Sequence, residues 1–498
     1  MLITRLAPTK YSGLSTLYTT RIEQKMADVL IVDLDGTLIK TDMLHESFWS
    51  SVKRNPTTAF LALTSLVYGK AALKERLSAT SDVDVTILPY NISVIKYIEE
   101  HRLEGGKSIL ITGSSQIYAD KVSEYLKVFD KAYGTRDGNN LTGKAKLDFI
   151  RDFLGVKSFS YIGNSKDDLH IWRHANKIIT VNTSKRTQKE AEGIGKPSEH
   201  LLTDDVSVLS YFKLMRTYQW LKNMLIFLPI LAAHQLDRDH ILTGLLSFLS
   251  FSLIASSVYV LNDLLDLGHD RSHPRKRSRP LAAGDLSIAN ALLLMPVLLF
   301  FGFGIGAVLG FNFVLVLTFY LILTTLYSVA LKTIAVLDIV LLGALYSLRV
   351  LAGGVGSGIA LSFWLIAFST LFFLALAAVK RQAELIDALQ RGADHLAGRG
   401  YEPSDLPIIN MVGVVSGFAA VQVLALYVNS EKVQELYKSP EALWGICCIL
   451  LYWIIRIVFV TNRGLMTDDP ILFTVKDKVS YACLILMSAF FLVGVGSE

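Results

Sequence analysis

Hydrophobic and polar positions divide the chain into two textures. Up to about Ser210, short apolar runs alternate with charged segments, as in a globular domain; beyond it, apolar runs of roughly 20 residues follow one another. In the first texture, residues 28–39 (DVLIVDLDGTLI), 108–115 (SILITGSS) and 159–168 (FSYIGNSKDD) read as buried strands that end in acids, hydroxyls and glycine turns. Open α/β sheets place ligands at such strand ends. Residues 42–105 between the first two strands read as a mainly helical insertion, and its apolar stretch 60–68 (FLALTSLVY) reads as the insertion's core or a membrane-facing patch, with core the expectation.

After a polar linker around 184–205, the second texture holds nine apolar runs: 218–236, 241–261, 289–309, 311–330, 335–352, 359–379, 407–428, 442–461 and 479–496. Each is near the length a helix needs to cross a bilayer, so the pattern predicts nine spans. With the soluble part in the cytoplasm, the inner loops carry Arg271, Arg275, Lys276, Arg277, Arg279, Lys332, Lys380, Arg381, Arg391, Arg399, Arg463, Lys476 and Lys478. The opposite side has little beyond Arg238, Lys432 and Lys438, which fits the positive-inside rule for a multi-pass inner (plasma) membrane protein.

Composition agrees: 52% hydrophobic, 19% charged and mean hydropathy +0.42 exclude a wholly soluble protein. A net charge of +5, clustered near membrane ends, argues against nucleic acid. Cys447, Cys448 and Cys483 all lie in apolar runs and offer no disulfide framework. Residues 1–25, with Arg5, Lys10, Arg21 and Lys25, read as a flexible basic tail without the apolar core of a secretory signal, and a start at Met26 is also consistent.

The strand ends bring together an acid pair (Asp33, Asp35), a hydroxyl (Thr112), a lysine (Lys144 or Lys146) and a polar cluster (Asn164, Asp167, Asp168), in the order expected for phosphoryl transfer. With DLDGT as first motif, residues 26–205 resemble the haloacid dehalogenase (HAD) superfamily, which implies an α/β Rossmann-like fold with a helical cap at about 42–105. The resemblance implies Asp33 as nucleophile and Asp35 as acid/base. It also implies that Thr112 and Lys146 hold the phosphoryl group, and that Asp33, Asp35, Asn164 and Asp168 surround Mg²⁺. One departure is Asn164, where the family usually has Asp; a neutral amide binds Mg²⁺ less strongly than a carboxylate.

In the membrane part, residues 262–284 (NDLLDLGHDRSHPRKRSRPLAAG) follow the second run directly. Spacing by four puts Asn262, Asp266 and Asp270 on one face if the helix continues, and a basic block follows. Carboxylates there suit a hard divalent cation, and the Arg and Lys groups suit phosphate. Lys222, Asn223, Tyr327, Lys332, Asp338 and Arg349 are further polar residues within or beside spans, where charge is costly and marks a site. NDLLDLGHD fits the NDxxDxxxD motif of the UbiA-type intramembrane prenyltransferases, an all-α, nine-span fold. Together with QWLKN, YSVALK, LRVLAGG and KRQAEL, residues 206–498 resemble decaprenyl-phosphate phosphoribosyltransferases, which make a precursor of cell-wall arabinose.

That resemblance implies transfer from phosphoribosyl diphosphate to polyprenyl phosphate, with Mg²⁺ on Asp266 and Asp270 helped by Asn262 or Asp263. Lys276, Arg279 and Lys332 would hold the phosphates, and Asp338 and Arg349 the ribose or acceptor region. His273 and Pro274 would shape the loop. The alternatives are an aromatic prenyltransferase using prenyl diphosphate, or a transporter or scaffold with a phosphatase-like domain. Residues Glu384 and Asp387 make only a weak second acidic motif, which disfavours the prenyl-diphosphate donor.

Overall fold

A computed structural model of the chain describes residues 29–136, 138–201, 207–392, 399–466 and 469–496; the expected N-terminal tail and Met26 lie outside the described residues. The chain forms two compact units. One takes the chain up to Leu214 together with Asp263–Leu293, and the other takes Met215–Asn262 and Leu294–Glu498. The stretch around 262–284 is built into the first unit.

The first unit is centred on a parallel six-stranded sheet of order β3-β2-β1-β4-β5-β6. Its strands are β1 (Val29–Val32), β2 (Lys107–Ser115), β3 (Lys131–Thr135), β4 (Phe159–Gly163), β5 (Lys177–Val181) and β6 (Ser198–Leu201). Alternation along the strands sends Leu30, Val32, Leu110 and Ile162 to one apolar core and Ile31, Ile109 and Tyr161 to the other. Both faces are thus covered, as a parallel sheet requires. Val32 pairs with Leu110 and with Ile162, so the carboxyl ends of β1, β2 and β4 lie side by side. This is the expected Rossmann-like layer.

The helical cap is smaller than 42–105. It comprises α1 (Met43–Arg54), α2 (Pro56–Leu63) and α3 (Lys70–Thr80), whereas α4 (Ile92–Leu103) buries Val94 and Ile98 in the sheet's own core. Asp42 caps α1 by accepting from the Leu44 amide at 2.8 Å. The expected core at 60–68 is a correction: Phe60, Leu61, Leu63, Leu66, Val67 and Tyr68 are exposed. The small cap core takes only Ala62 from this stretch and is completed by Leu73 and Leu77 against Leu44 and Phe48.

The second unit is all-helical. Among the described residues, eight helices, two of them running across the division into the first unit, are long and apolar enough to cross a membrane. They are α5 (Arg238–Leu265), α6 (Ile288–Leu309), α7 (Phe311–Val329), α8 (Leu337–Ser357), α9 (Phe363–Gln390), α10 (Leu406–Val428), α11 (Leu443–Asn462) and α12 (Lys478–Val495). The first expected run differs, forming a 3₁₀ segment, Thr217–Phe227, and a short α-helix, Leu228–Ala232. Pro229 starts the second piece, and buried Lys222 and Asn223 must reach polar partners, so a tighter, broken path replaces one long helix. Glycines on α8 let it pack centrally: a Cβ at Gly353 would lie 2.0 Å from the Ile226 carbonyl oxygen.

Candidate active sites

At the strand ends of the first unit, Asp33 Oδ1 accepts from the Leu34 amide at 2.9 Å and from Lys146 Nζ at 2.7 Å. Lys146 is buried and Lys144 exposed, so the structure brings Lys146 to the acid pair. Asp35 is fixed on two sides. Its Oδ1 accepts from the Met43 amide at 2.8 Å, and its Oδ2 accepts from Ser114 Oγ at 2.6 Å and Thr112 Oγ1 at 3.3 Å. Burial, then the charges of Asp42 and Asp33, pushes the Asp35 carboxyl up to about 7, where it can hold or release a proton near neutrality. Burial also raises Asp33, opposed by the nearby Lys146 ammonium.

Asp168, expected as a metal ligand, has both oxygens engaged. Oδ1 accepts from the Tyr161 hydroxyl at 2.8 Å, and Oδ2 from the Asn164 amide, the Ser165 amide and Ser165 Oγ at 3.0, 2.8 and 3.1 Å. It shapes the loop, and Asp167 is exposed. Gly36, at φ +70°, lies directly under Asn164: a Cβ there would meet Asn164 Nδ2 at 2.1 Å. Asn164 thus sits over the glycine turn that follows Asp33 and Asp35, and carboxylate and amide oxygens are a donor set that fits Mg²⁺ when substrate phosphate completes the shell.

The acidic and basic stretch folds as a hook. α5 ends at Leu265, Asp266 precedes a short helix, Leu267–Ser272, without a side-chain capping bond to it, and the helix face does not continue unbroken through Asn262, Asp266 and Asp270. Asp263 and Asp270 are instead the buried pair, bridged by Arg279, whose NH1 donates to them at 3.2 and 2.5 Å. Asp270 Oδ1 is buried without a hydrogen-bond partner, an orphan oxygen of the kind a hard cation satisfies. Burial raises the Asp270 carboxyl despite Arg279. Asn262 and Asp266 are half-buried, as is Lys276, while His273 Nδ1 accepts from the Arg275 and Lys276 amides and so shapes the turn. Among the described residues, no three His, Cys, Asp or Glu side chains form a ready metal cage.

Arg271, next to Asp270, makes a buried bidentate pair with Glu46 of α1, NH1 to Oε2 at 2.9 Å and NH2 to Oε1 at 2.7 Å. Thr41 Oγ1 also donates to Glu46 at 2.6 Å, and Arg271 Nε donates to the Ala282 carbonyl at 3.2 Å. This pair ties the hook to the helix that begins at Met43, the residue bound to Asp35.

Two buried polar networks occupy the second unit. Asp469 Oδ2 lies 2.6 Å from Lys222 Nζ and 3.3 Å from Lys380 Nζ, and accepts from the Tyr346 hydroxyl at 2.9 Å. Beside it, Arg349 Nε donates to Asn223 Oδ1 at 2.9 Å, with its guanidinium within 5.6 Å of the Phe251, Tyr320 and Tyr346 ring centres. In the other network, Asp338 is wholly buried between Arg381 (2.7 Å) and Arg399 (2.9 Å) and accepts from Tyr327 at 2.8 Å. The Asp338 carboxylate is thus taken up by these arginines and Tyr327. Lys332 is half-buried in the 3₁₀ turn Leu331–Thr333.

Residues 223–399 match the model of the UbiA prenyltransferase family. The chain is 35% identical to the uncharacterized protein y4nM of Sinorhizobium fredii, over 94% of this chain and 91% of that one. The chain belongs to the UbiA prenyltransferase family. It is also 36% identical to the nodulation protein NoeC of Azorhizobium caulinodans (56% of this chain, 91% of that one). With the decaprenyl-phosphate phosphoribosyltransferase of Mycolicibacterium smegmatis it shares 29% identity (58% and 92%).

Within this UbiA-family chain, sequence reasoning missed Asp469, Lys74 and the Glu46–Arg271 pair. Lys74 of α3 donates to the Gly113 carbonyl at 2.6 Å and Asn140 Oδ1 at 3.1 Å, placing a cap ammonium at the carboxyl-end part of β2. Its signal in the sequence was only a lysine in a helical insertion. Asp469 was findable as the acid that buried Lys222 and half-buried Lys380 demand, whereas the sequence pattern gives Lys380, Arg381 and Arg399 only as loop charges.

Proposed function

We propose that the chain is a bifunctional Mg²⁺-dependent polyprenyl-phosphate phosphoribosyltransferase and phosphatase of the cytoplasmic face of the inner membrane, with functional parts at 26–205 and 206–498. A phosphate oxygen of the polyprenyl phosphate attacks C1 of phosphoribosyl diphosphate, the C1–O bond breaks, and pyrophosphate leaves. Asp263, Asp266 and Asp270 are the metal-binding acids, with Asn262 beside them. Lys276, Arg279 and Lys332 hold phosphate oxygens, and Lys222, Asn223, Tyr327, Asp338 and Arg349 bind or position the substrates. Mg²⁺, when bound, neutralises charge on the departing pyrophosphate. The observation that carries this reading is the similarity to a decaprenyl-phosphate phosphoribosyltransferase along 92% of that protein's length.

The transferred sugar keeps a 5-phosphate, and the phosphatase part removes it. Asp33 attacks the phosphorus, Lys146 and Thr112 hold the phosphoryl oxygens, and Asp35 gives its proton to the departing ribose oxygen. Asp35 then takes a proton from the water that splits the aspartyl-phosphate, releasing inorganic phosphate. The placement of Lys146 on Asp33 and the doubly held Asp35 support this step. Purified protein given labelled phosphoribosyl diphosphate and a polyprenyl phosphate tests the transferase: label must enter the lipid fraction. If label appears but the wild-type product keeps its 5-phosphate, the phosphatase step fails alone.

A further inference from the structure

The cap presents its large apolar side chains outward. Along Pro56–Tyr68 the buried residues are Ala59, Ala62 and Ser65, the last bound by Arg76 NH1 at 3.1 Å, while Val67 and Tyr68 are 86% and 85% exposed and Phe60, Leu61 and Leu66 are exposed with them. A cap helix facing only water would show the opposite polarity. The segment is apolar yet too short to cross a bilayer. Exposed Lys53, Arg54 and Lys70 border it, and no Asp or Glu occurs between Glu46 and Glu75.

We propose that Pro56–Tyr68 is an interfacial membrane anchor. Its apolar side chains enter the boundary between headgroups and acyl chains, and Lys53, Arg54 and Lys70 meet anionic headgroups. Basic flanks and an apolar tip without acids complement a lipid surface, and the same chain carries helices long and apolar enough to cross one. The anchor would hold the phosphatase-like strand ends at the membrane where a lipid-linked phosphate is presented; that consequence alone rests on the proposed function.

The test uses the full chain in vesicles of equal parts phosphatidylcholine and phosphatidylglycerol, with Val67→Cys carrying an environment-sensitive fluorophore. Wild type treated with the same reagent supplies the background from native cysteines, and labelled Lys189→Cys, an exposed residue near the far end of the sheet, serves as the aqueous control. Val67 is expected to show blue-shifted emission, quenching by lipids with a nitroxide high on the acyl chain, and little quenching by iodide. Quenching by iodide instead would show a water-facing surface and overturn the anchor. Protection from both quenchers would show a protein partner or second copy there and also overturn it. In pure phosphatidylcholine the lipid quenching should weaken, and Lys53→Glu/Arg54→Glu/Lys70→Glu should remove the difference between the two vesicles. No dependence on lipid charge would overturn the headgroup assignment.

Discussion

Glu46→Ala removes one partner of a pair in which both side chains are only 4% exposed, and leaves the Arg271 guanidinium buried beside an apolar methyl. Stranding a charge in this way costs about 3–5 kcal/mol, because desolvation is no longer offset. The loss of the Thr41 hydrogen bond belongs within that range. The cost falls on the packing of residues 263–293 within the first unit, so local opening of this segment should become easier by roughly two to four powers of ten. Hydrogen exchange of peptides covering 263–293, in the full chain in lipid nanodiscs, reads this directly. Because Arg271 adjoins Asp270, transfer of label to lipid should fall in parallel. Arg271→Met on the Glu46→Ala background should recover most of the protection, since two apolar groups replace the stranded charge. Unchanged exchange in Glu46→Ala would refute the argument that this pair holds the hook.

Other substitutions separate the two chemistries. Lys146→Ala should lower 5-phosphate removal at least about 100-fold, with lipid labelling retained, as read by chromatography of the lipid product. Asp270→Asn should lower lipid labelling by about 100-fold or more while hydrolysis of a soluble aryl phosphate stays within twofold. Asn164→Asp adds a charged oxygen donor beside Asp33, so the Mg²⁺ concentration for half-maximal phosphatase activity should fall about tenfold in a metal titration. Asp469→Ala strands Lys222 and Lys380 and should destabilise the second unit by about 3–5 kcal/mol, seen as a lower midpoint of thermal unfolding in detergent; the same midpoint as wild type would show the network to be dispensable.

Local patterns were the most legible features. Asp33, Asp35 and Asn164 follow short apolar strands and Thr112 lies toward the end of another, and a parallel sheet collects such strand ends. The long apolar helices were equally plain from length. Partners distant in sequence were not: Glu46 and Arg271 are 225 residues apart, and Lys222 and Asp469 are 247 apart, so no spacing rule connects them. The apolar stretch 60–68 left two readings open, a core and a membrane-facing patch, and the expected core is not what its exposed side chains form. Hydrophobicity marks what leaves water, without distinguishing a protein core from a lipid surface. The spacing by four in 262–270 misled because helix geometry breaks at Asp266, which moves the buried pairing to Asp263 and Asp270.

The central claim is tested most directly by mass analysis of the lipid made from phosphoribosyl diphosphate and polyprenyl phosphate by wild type and by Asp33→Asn. Wild type should yield polyprenyl-phosphoryl ribose free of the 5-phosphate, and Asp33→Asn should yield the same lipid with the phosphate retained. A wild-type reaction that leaves the polyprenyl phosphate unglycosylated would contradict the account.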